Sequence, residues 1–275
     1  MAKNKKLRIG IVGCGAIGSS LAKEIFVGLR GVACLAALYD ILPEKSQALS
    51  KRLTKSTKFC VDTLDALIKK SDLVIEASSA KASWEIARKS LSSGRKVMVM
   101  SVGGMVGHLD QIFVLAAKHN AQAYFPSGAI AGIDGLKAAN IAGVRRVVLT
   151  TRKNPKAFAG VEYVVKNFNL AGLKNDKILF SGPAALAVKY FPQNVNVAAV
   201  LGLAGIGMQK TKVCIIASPS VTKNIHEILI ESCAAKIFTR TENVLHPQNP
   251  KTSYLAVLAA IATLKQILQP VKIGT

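Results

Sequence analysis

Two groups of residues in this chain have the types and spacing to do chemistry. Gly13-Cys-Gly15-Ala16-Ile17-Gly18 is a Gly-x-Gly-x-x-Gly loop, set directly after the apolar run Leu7–Val12 and directly before a helical stretch. That pattern suits a dinucleotide. Gly13 permits a tight turn, Gly15 lets a pyrophosphate approach the backbone, and Gly18 lets helix and strand pack closely. Ala16 and Ile17 then offer the unbonded N–H groups and positive dipole of a helix N-terminus to phosphate. Asp40 ends the next apolar run 25 residues after Gly15, close to the spacing of a carboxylate that binds ribose hydroxyls. It would repel a 2′-phosphate, and Ile41 supplies no arginine to welcome one. NAD is therefore expected over NADP, with Lys45 and Arg52 as residues able to relax the preference. The competing reading is that the glycines merely pack a strand-to-helix turn.

The second group surrounds His226, which lies in the polar, strand-like segment Asn224-Ile-His226-Glu227. A neutral imidazole, with an ordinary pKa of about 6.5, can take a proton from substrate or activate a water. His246, in Leu245-His-Pro247, is the rival; His108 is expected to begin a helix and His119 to end one. A lone histidine is more often structural than catalytic, and the residues alone leave both roles open.

These side chains need a scaffold, and the first hundred residues alternate strand and helix signals. Apolar runs at Leu7–Val12, Val32 to Tyr39, Leu73 to Ala77 and Lys96 to Met100 read as strands. Helices are expected from Ala16 to about Leu29, from Pro43, from Thr63 to Lys70 with Asp62 as a candidate cap, and from Ala80 to a stop at Gly94. This βαβα rhythm predicts a parallel sheet with helices on both faces. Ligands bind such sheets at the C-terminal strand ends, which makes Ser78 and Ser79, and the stretch Ser101-Val-Gly-Gly104, candidates for the nicotinamide half of a dinucleotide. Ordinary strand-to-helix turns would look the same.

After Pro126 strands dominate, at Val144 to Thr151, Lys212 to Ala217, Ile225 to Ile230 and Ala235 to Thr241, and Ser253 to Leu268 closes the chain as a helix. The expected fold class is α/β: a Rossmann-type parallel sheet domain followed by a mixed α+β domain, with the C-terminal helix returning to the first domain. The boundaries are placed at 1–130 for the dinucleotide-binding domain, joined by 253–275, and at 131–252 for a catalytic and dimerisation domain.

Composition narrows the class further. Half the chain is apolar and 5% aromatic, which suits a soluble α/β protein and not a disordered one. No apolar run reaches the roughly 18 to 20 residues of a membrane span. The start Met1-Ala-Lys-Asn-Lys-Lys is basic like a signal peptide, but it runs into a first strand with no cleavage site, so a cytoplasmic chain is expected. Five scattered cysteines without a Cys-x-x-Cys pair argue against a disulfide framework or a metal site, and most are expected to be small buried residues. The net charge of +22 raises the question of nucleic acid, but the lysines are dispersed and aromatic stacking residues are scarce, so nucleic acid is not the expected partner.

Longer strings are more specific. Pro126-Ser-Gly-Ala-Ile-Ala-Gly-Ile-Asp134, Phe191-Pro-Gln-Asn-Val-Asn-Val-Ala-Ala199, Asn224-Ile-His226-Glu and Asn249-Pro-Lys-Thr-Ser-Tyr254, together with the glycine loop, resemble the L-aspartate dehydrogenase family from about Ile9 to the C-terminus. The resemblance implies that His226 is the catalytic histidine, that Asn196 binds the cofactor, and that a backbone amide within Gly128 to Ala131, at Ala131, also contacts it. It further implies a homodimer formed largely through the second domain and an imine product that feeds NAD biosynthesis or hydrolyses to oxaloacetate and ammonia. Two departures are Ser218, where the family often has Asp, and Ser181-Gly-Pro183, where Gly-Ser-Ala is more usual.

Hydride removal from a Cα–N bond needs a neutral amine, which a neutral His226 can provide. A dicarboxylate such as L-aspartate needs cations or N–H donors. Lys251, Thr252 and Ser253, at the expected start of the last helix, are candidates for one carboxylate, with an ordinary helix cap as the alternative; Ser127 and Gly128 are candidates for the other end. Asn196 lies in an apolar helical pattern, where its amide would bind the nicotinamide carboxamide or form an internal hydrogen bond. The competing functions are another dehydrogenase of the same two-domain plan, such as a homoserine dehydrogenase-like enzyme, a non-catalytic NAD-binding protein, or a basic nucleic-acid binder.

Overall fold

The computed structural model describes residues 6–191, 196–247 and 249–274. The chain divides into two units, one of Met1–Pro126 with Ala260–Lys272 and one of Ser127–Ala259 with Ile273–Thr275.

In the first unit the elements run β1 (Leu7–Val12), α1 (Ala16–Lys23), a π-helical turn Glu24–Gly28, β2 (Ala33–Tyr39), α2 (Pro43–Thr54), α3 (Leu64–Lys70), β3 (Leu73–Glu76), α4 (Ala80–Ser92), β4 (Lys96–Val99), a 3-10 turn Val102–Met105, α5 (Leu109–Lys118) and β5 (Ala123–Tyr124). All five strands are parallel, in the order β2-β1-β3-β4-β5. This is the Rossmann-type sheet that the alternation of strand and helix signals predicts. Period-two alternation splits the strands between two cores. Ile9, Ile11, Ile75 and Met98 pack with Leu21 and Ile25 on one face; Val74, Val97 and Val99 pack with Leu67, Ile86 and Leu91 on the other.

Some local details differ from expectation. Helix α1 gives way to the π-helical turn at Glu24. The cap of α3 is Thr63, whose Oγ1 accepts the Ala66 N–H at 3.1 Å, and not Asp62. Of the five cysteines Cys14 alone is buried; Cys34, Cys60 and Cys214 are half-buried and Cys233 is exposed.

The second unit contains α6 (Ile133–Ile141), β6 (Val144–Lys153), a 3-10 turn Pro155–Phe158, α7 (Glu162–Asn167), β7 (Lys177–Pro183), α8 (Ala184–Tyr190), α9 (Asn196–Ala204), β8 (Lys212–Ala217), β9 (Asn224–Ser232), β10 (Lys236–Asn243), β11 (Leu245–His246), β12 (Asn249–Ser253) and α10 (Tyr254–Leu268), the last shared with the first unit. Its mixed sheet has the order β10-β9-β6-β8-β7, with only β6 and β8 parallel. Val147, Leu149, Val213, Ile215, Ile228 and Ile230 form the sheet side of one core, which Leu136, Ala187, Ala198, Leu201, Phe158 and Phe191 cover. On the opposite face Phe238 and Ile178 are exposed, among ion pairs of Arg152 and Arg240 with Glu227.

Among the described residues no helix is long and apolar enough to cross a membrane. The second half of α10 belongs to the first unit, where Ala260 and Leu264 are fully buried beside β1 and α1 residues. We expect Leu264→Ala to lower stability by about 3 kcal/mol in urea unfolding, as for a cavity in a close-packed core. Leu258→Ala, at a position 41% exposed on the same helix, should change it by about 0.5 kcal/mol or less.

Candidate active site

In the first unit the glycine loop follows β1 as a turn shaped by backbone sterics. Gly13 has φ +94°, and a Cβ there would lie 2.4 Å from the Ala77 carbonyl oxygen; at Gly18 a Cβ would lie 1.9 Å from the Gly13 oxygen. A Cβ at Gly15, by contrast, would meet nothing within 4 Å, so the loop is open where a phosphate would approach. Ala16 and Ile17 open α1, whose cap residue Gly15 makes no side-chain bond and whose first turn holds no acidic residue. No carboxylate in that turn therefore competes for the leading amides of the helix. Asp40 lies just past β2 and accepts the Cys14 N–H at 2.7 Å on one oxygen and the Leu42 N–H at 3.0 Å on the other. Each oxygen keeps a lone pair for a ribose hydroxyl. These residues fit a dinucleotide.

The turns after β3 and β4 converge on Glu76, which sequence reasoning passed over. Its fully buried carboxylate receives the N–H and Oγ–H of Ser78 and of Ser101. Ser79 is the cap residue of α4 without a side-chain cap bond. The available signal was one charged residue at the end of an apolar strand, Leu73-Val-Ile-Glu76.

In the second unit His226 projects from β9 onto the buried sheet face. It pairs across the strands with Thr151 on β6 and Thr241 on β10, and its Nδ1 shares a 3.0 Å hydrogen bond with Thr151 Oγ1. Two residues along β6 the buried ammonium of Lys153 occupies the same face. Burial pushes the imidazole pKa from 6.5 down to about 3, with the Lys153 charge adding to the fall. Burial likewise brings Lys153 from 10.5 down to about 8. The site therefore holds a neutral imidazole beside an ammonium of weakened basicity. The alternation Val147, Leu149, Thr151, Lys153 was the signal for both missed residues.

Around this pair β10 laces down the segment after Pro126. Thr239 donates to the Ala131 carbonyl at 3.2 Å, Thr241 to Ala129 at 3.0 Å, and Asn243 Nδ2 also to Ala129 at 3.0 Å. Ala129 and Ala131 are thereby anchored on the strand next to His226, and Ser127 and Gly128 precede them in the chain, with Gly128 at φ +72°. Asn224 donates to Ser253 Oγ at 3.2 Å, which ties the 249–253 segment to the His226 strand.

Two expectations change in detail. Residues 251–253 lie in β12, and the helix opens only at Tyr254, so they do not form its first turn. Thr252 Oγ1 accepts from Asn249 Nδ2 at 3.1 Å, while the Lys251 side chain lies outside the described residues. Asn196 is the first residue of α9 and is exposed, so its amide is not buried in an apolar helix. The rival His246 is buried edge-to-face against Tyr254, at 5.5 Å between centroids. His108 and His119 flank α5 as expected.

Comparison with known proteins yields two family models: "Homoserine dehydrogenase, NAD binding domain" over residues 13–126, and "Aspartate dehydrogenase, C-terminal" over residues 134–267. The L-aspartate dehydrogenase of Methanosarcina acetivorans is 46% identical over 275 residues, spanning 98% of this chain and 100% of the relative. That of Methanosarcina mazei is 47% identical over 272 residues, with the same coverage. The crystal structure of aspartate dehydrogenase from Thermotoga maritima matches with a TM-score of 0.74 at 25% identity, over 98% of this chain and 100% of that one.

The lowered imidazole pKa sets a pH dependence. Between about 6.5 and about 3 the unfolded chain binds a proton at residue 226 that the folded chain refuses. Stability should fall as pH drops through that window, by up to about 1.4 kcal/mol per pH unit from this group. We expect NMR to show the ring neutral at pH 5, and His226→Gln to have a shallower loss of stability between pH 6.5 and 4.5 than the wild-type protein. Protonation near pH 6.5 would contradict a buried imidazole.

Proposed function

The chain belongs to the L-aspartate dehydrogenase family, and we propose that it oxidises the Cα–N bond of L-aspartate with NAD, giving iminoaspartate that hydrolyses to oxaloacetate and ammonia. The observation that carries this reading is the neutral imidazole of His226 held beside the Lys153 ammonium, in a chain similar to such enzymes from end to end.

When bound, the nicotinamide ring supplies the hydride acceptor. The Ala16 and Ile17 amides receive the pyrophosphate over the open Gly15, Asp40 receives ribose hydroxyls, and Ser78 and Ser79 lie toward the nicotinamide half. Ala131 and Asn196 are carried over from the family as further cofactor contacts. In the second unit Lys153 neutralises a substrate carboxylate, with Ser127, Gly128 and the 251–253 segment as further contacts. A carboxylate arriving there offsets the Lys153 charge, the part of the imidazole's lowered basicity that adds to burial, so His226 recovers that part once substrate is present. It then takes the ammonium proton and frees the amine lone pair that drives hydride departure. Thr151 orients the ring for that transfer.

We extend the proposal to a homodimer using the uncovered sheet face, to a reducing cytoplasm suited to free cysteines, and to a supply of imine for NAD biosynthesis. The carboxylate of Asp40 favours NAD over NADP.

In an assay of reduced-cofactor absorbance with aspartate, glutamate, alanine and homoserine, we expect aspartate to give the highest kcat/KM. His226→Ala should lower kcat by about 10² to 10⁴ with NADH binding retained. Faster turnover of homoserine, or full turnover by the variant, would overturn the assignment. Asp40→Ala should narrow the NAD preference by about tenfold or more, because a like charge facing the 2′-phosphate is removed.

A further inference from the structure

Glu76 is the last residue of β3, and its side chain has no exposed surface. Its Oε1 accepts the Ser78 N–H at 2.7 Å, the Ser78 hydroxyl at 2.8 Å and the Ser101 hydroxyl at 2.9 Å, while Oε2 accepts the Ser101 N–H at 2.9 Å. Two donors come from the turn after β3 and two from the turn after β4, neighbouring parallel strands in which Glu76 pairs with Val99. A second tie reinforces the first. Ser83 on α4 lies 3.1 Å from both the Ala80 and Ser101 carbonyl oxygens, and Gly104 lies so close that a Cβ there would be 2.0 Å from the Ala80 oxygen. The two turns and the start of α4 are thus locked as one piece, with Glu76 at its centre.

Sheet order says what that piece faces. The glycine loop follows β1, and Asp40 follows β2 on one side of it. A pyrophosphate on α1 with its adenosine ribose at Asp40 leaves the other arm of the dinucleotide to run over β3 and β4. Packing alone would not demand a carboxylate here, since Val74 and Ile75 fill the same strand with hydrocarbon. Four converging donors do demand one: a carboxylate offers acceptor sites on both oxygens and no hydrogen, whereas a carboxamide would set its own N–H against one of them. Burial drives the Glu76 carboxyl upward in pKa, and the serine donors oppose that drift.

We propose that Glu76 is a positioning residue for the nicotinamide end of the cofactor, a buried carboxylate that fixes the two turns on which that half rests. The proposal rests on the dinucleotide reading above.

The test compares two ligands on the full chain: NADH, and ADP, which carries adenosine and pyrophosphate but nothing beyond them. We expect Glu76→Gln to weaken NADH binding by about tenfold or more, the loss of a charge-assisted bond, and ADP binding by no more than about twofold. Restoring the carboxylate as Glu76→Asp should recover part of the NADH affinity. If Glu76→Gln fails to fold, Ser101→Ala, which keeps the carboxylate, both amides and the Ser78 hydroxyl, is judged by the same NADH-to-ADP ratio. Equal weakening of both ligands, or unchanged NADH affinity, overturns the proposal while leaving the enzyme assignment intact. Binding of neither ligand by the wild-type chain would remove the dinucleotide reading, and this inference with it.

Discussion

The register of β9 between β6 and β10 is the constraint on which the placement of His226 and its polar neighbours in the second unit depends. It sets His226 opposite Thr151 on one side and Thr241 on the other. Side chains alternate along a strand, so a slip of one residue would send the imidazole to the opposite face and bring Glu227 into the hydrocarbon. The sequence opposes that slip on both faces. Ile228 and Ile230 lie across from Leu149 and Val147 in the core. On the other face Glu231 lies across from Arg146 and Lys236, and Glu227 from Arg240, each pair close enough to form an ion pair. Any slip would cost buried apolar area and set these charges against the wrong neighbours at once.

Within that register the polar row at the end of the sheet is electrostatically unusual. His226 and Lys153 are both bases whose charged form water favours, and both are out of water here, so burial lowers the basicity of each. A field weak in solution becomes strong on such a dry face. The same low dielectric that empties the imidazole of its proton makes it responsive to any charge brought near it.

Local features were legible in the sequence where short-range sterics decide them. The glycine loop, the apolar runs of β1 to β4 and the long apolar helix α10 each follow from neighbours in the chain. The missed features depend on what lies across a sheet. Glu76 read as the polar end of a strand because its four donors come partly from Ser101, 25 residues away. Thr151 and Lys153 become informative only once β9 lies beside β6. Strand β7 was hidden by a segment that ends in Gly182-Pro183, a turn signature, although its pairing with β8 runs to Pro183. Thr252 and Ser253 suggested the opening of a helix because hydroxyls before an apolar run usually cap one; pairing with β11 takes them into a strand instead.

Acidic residues are scarce in this chain, 15 against 37 lysines and arginines, so the use made of each is telling. In the first unit two of them stand at strand ends on either side of β1: Asp40 after β2, and Glu76 at the end of β3. Neither owes its hold there to an ion pair; backbone N–H groups bind both, aided by serine hydroxyls at Glu76. Each carboxylate therefore fixes the shape of turns at the C-terminal end of the sheet, and together they bracket the loop that leads into α1. In the dinucleotide complex proposed above, ribose hydroxyls would be accepted at Asp40 and the amides that open α1, between these two strand ends, would receive the pyrophosphate.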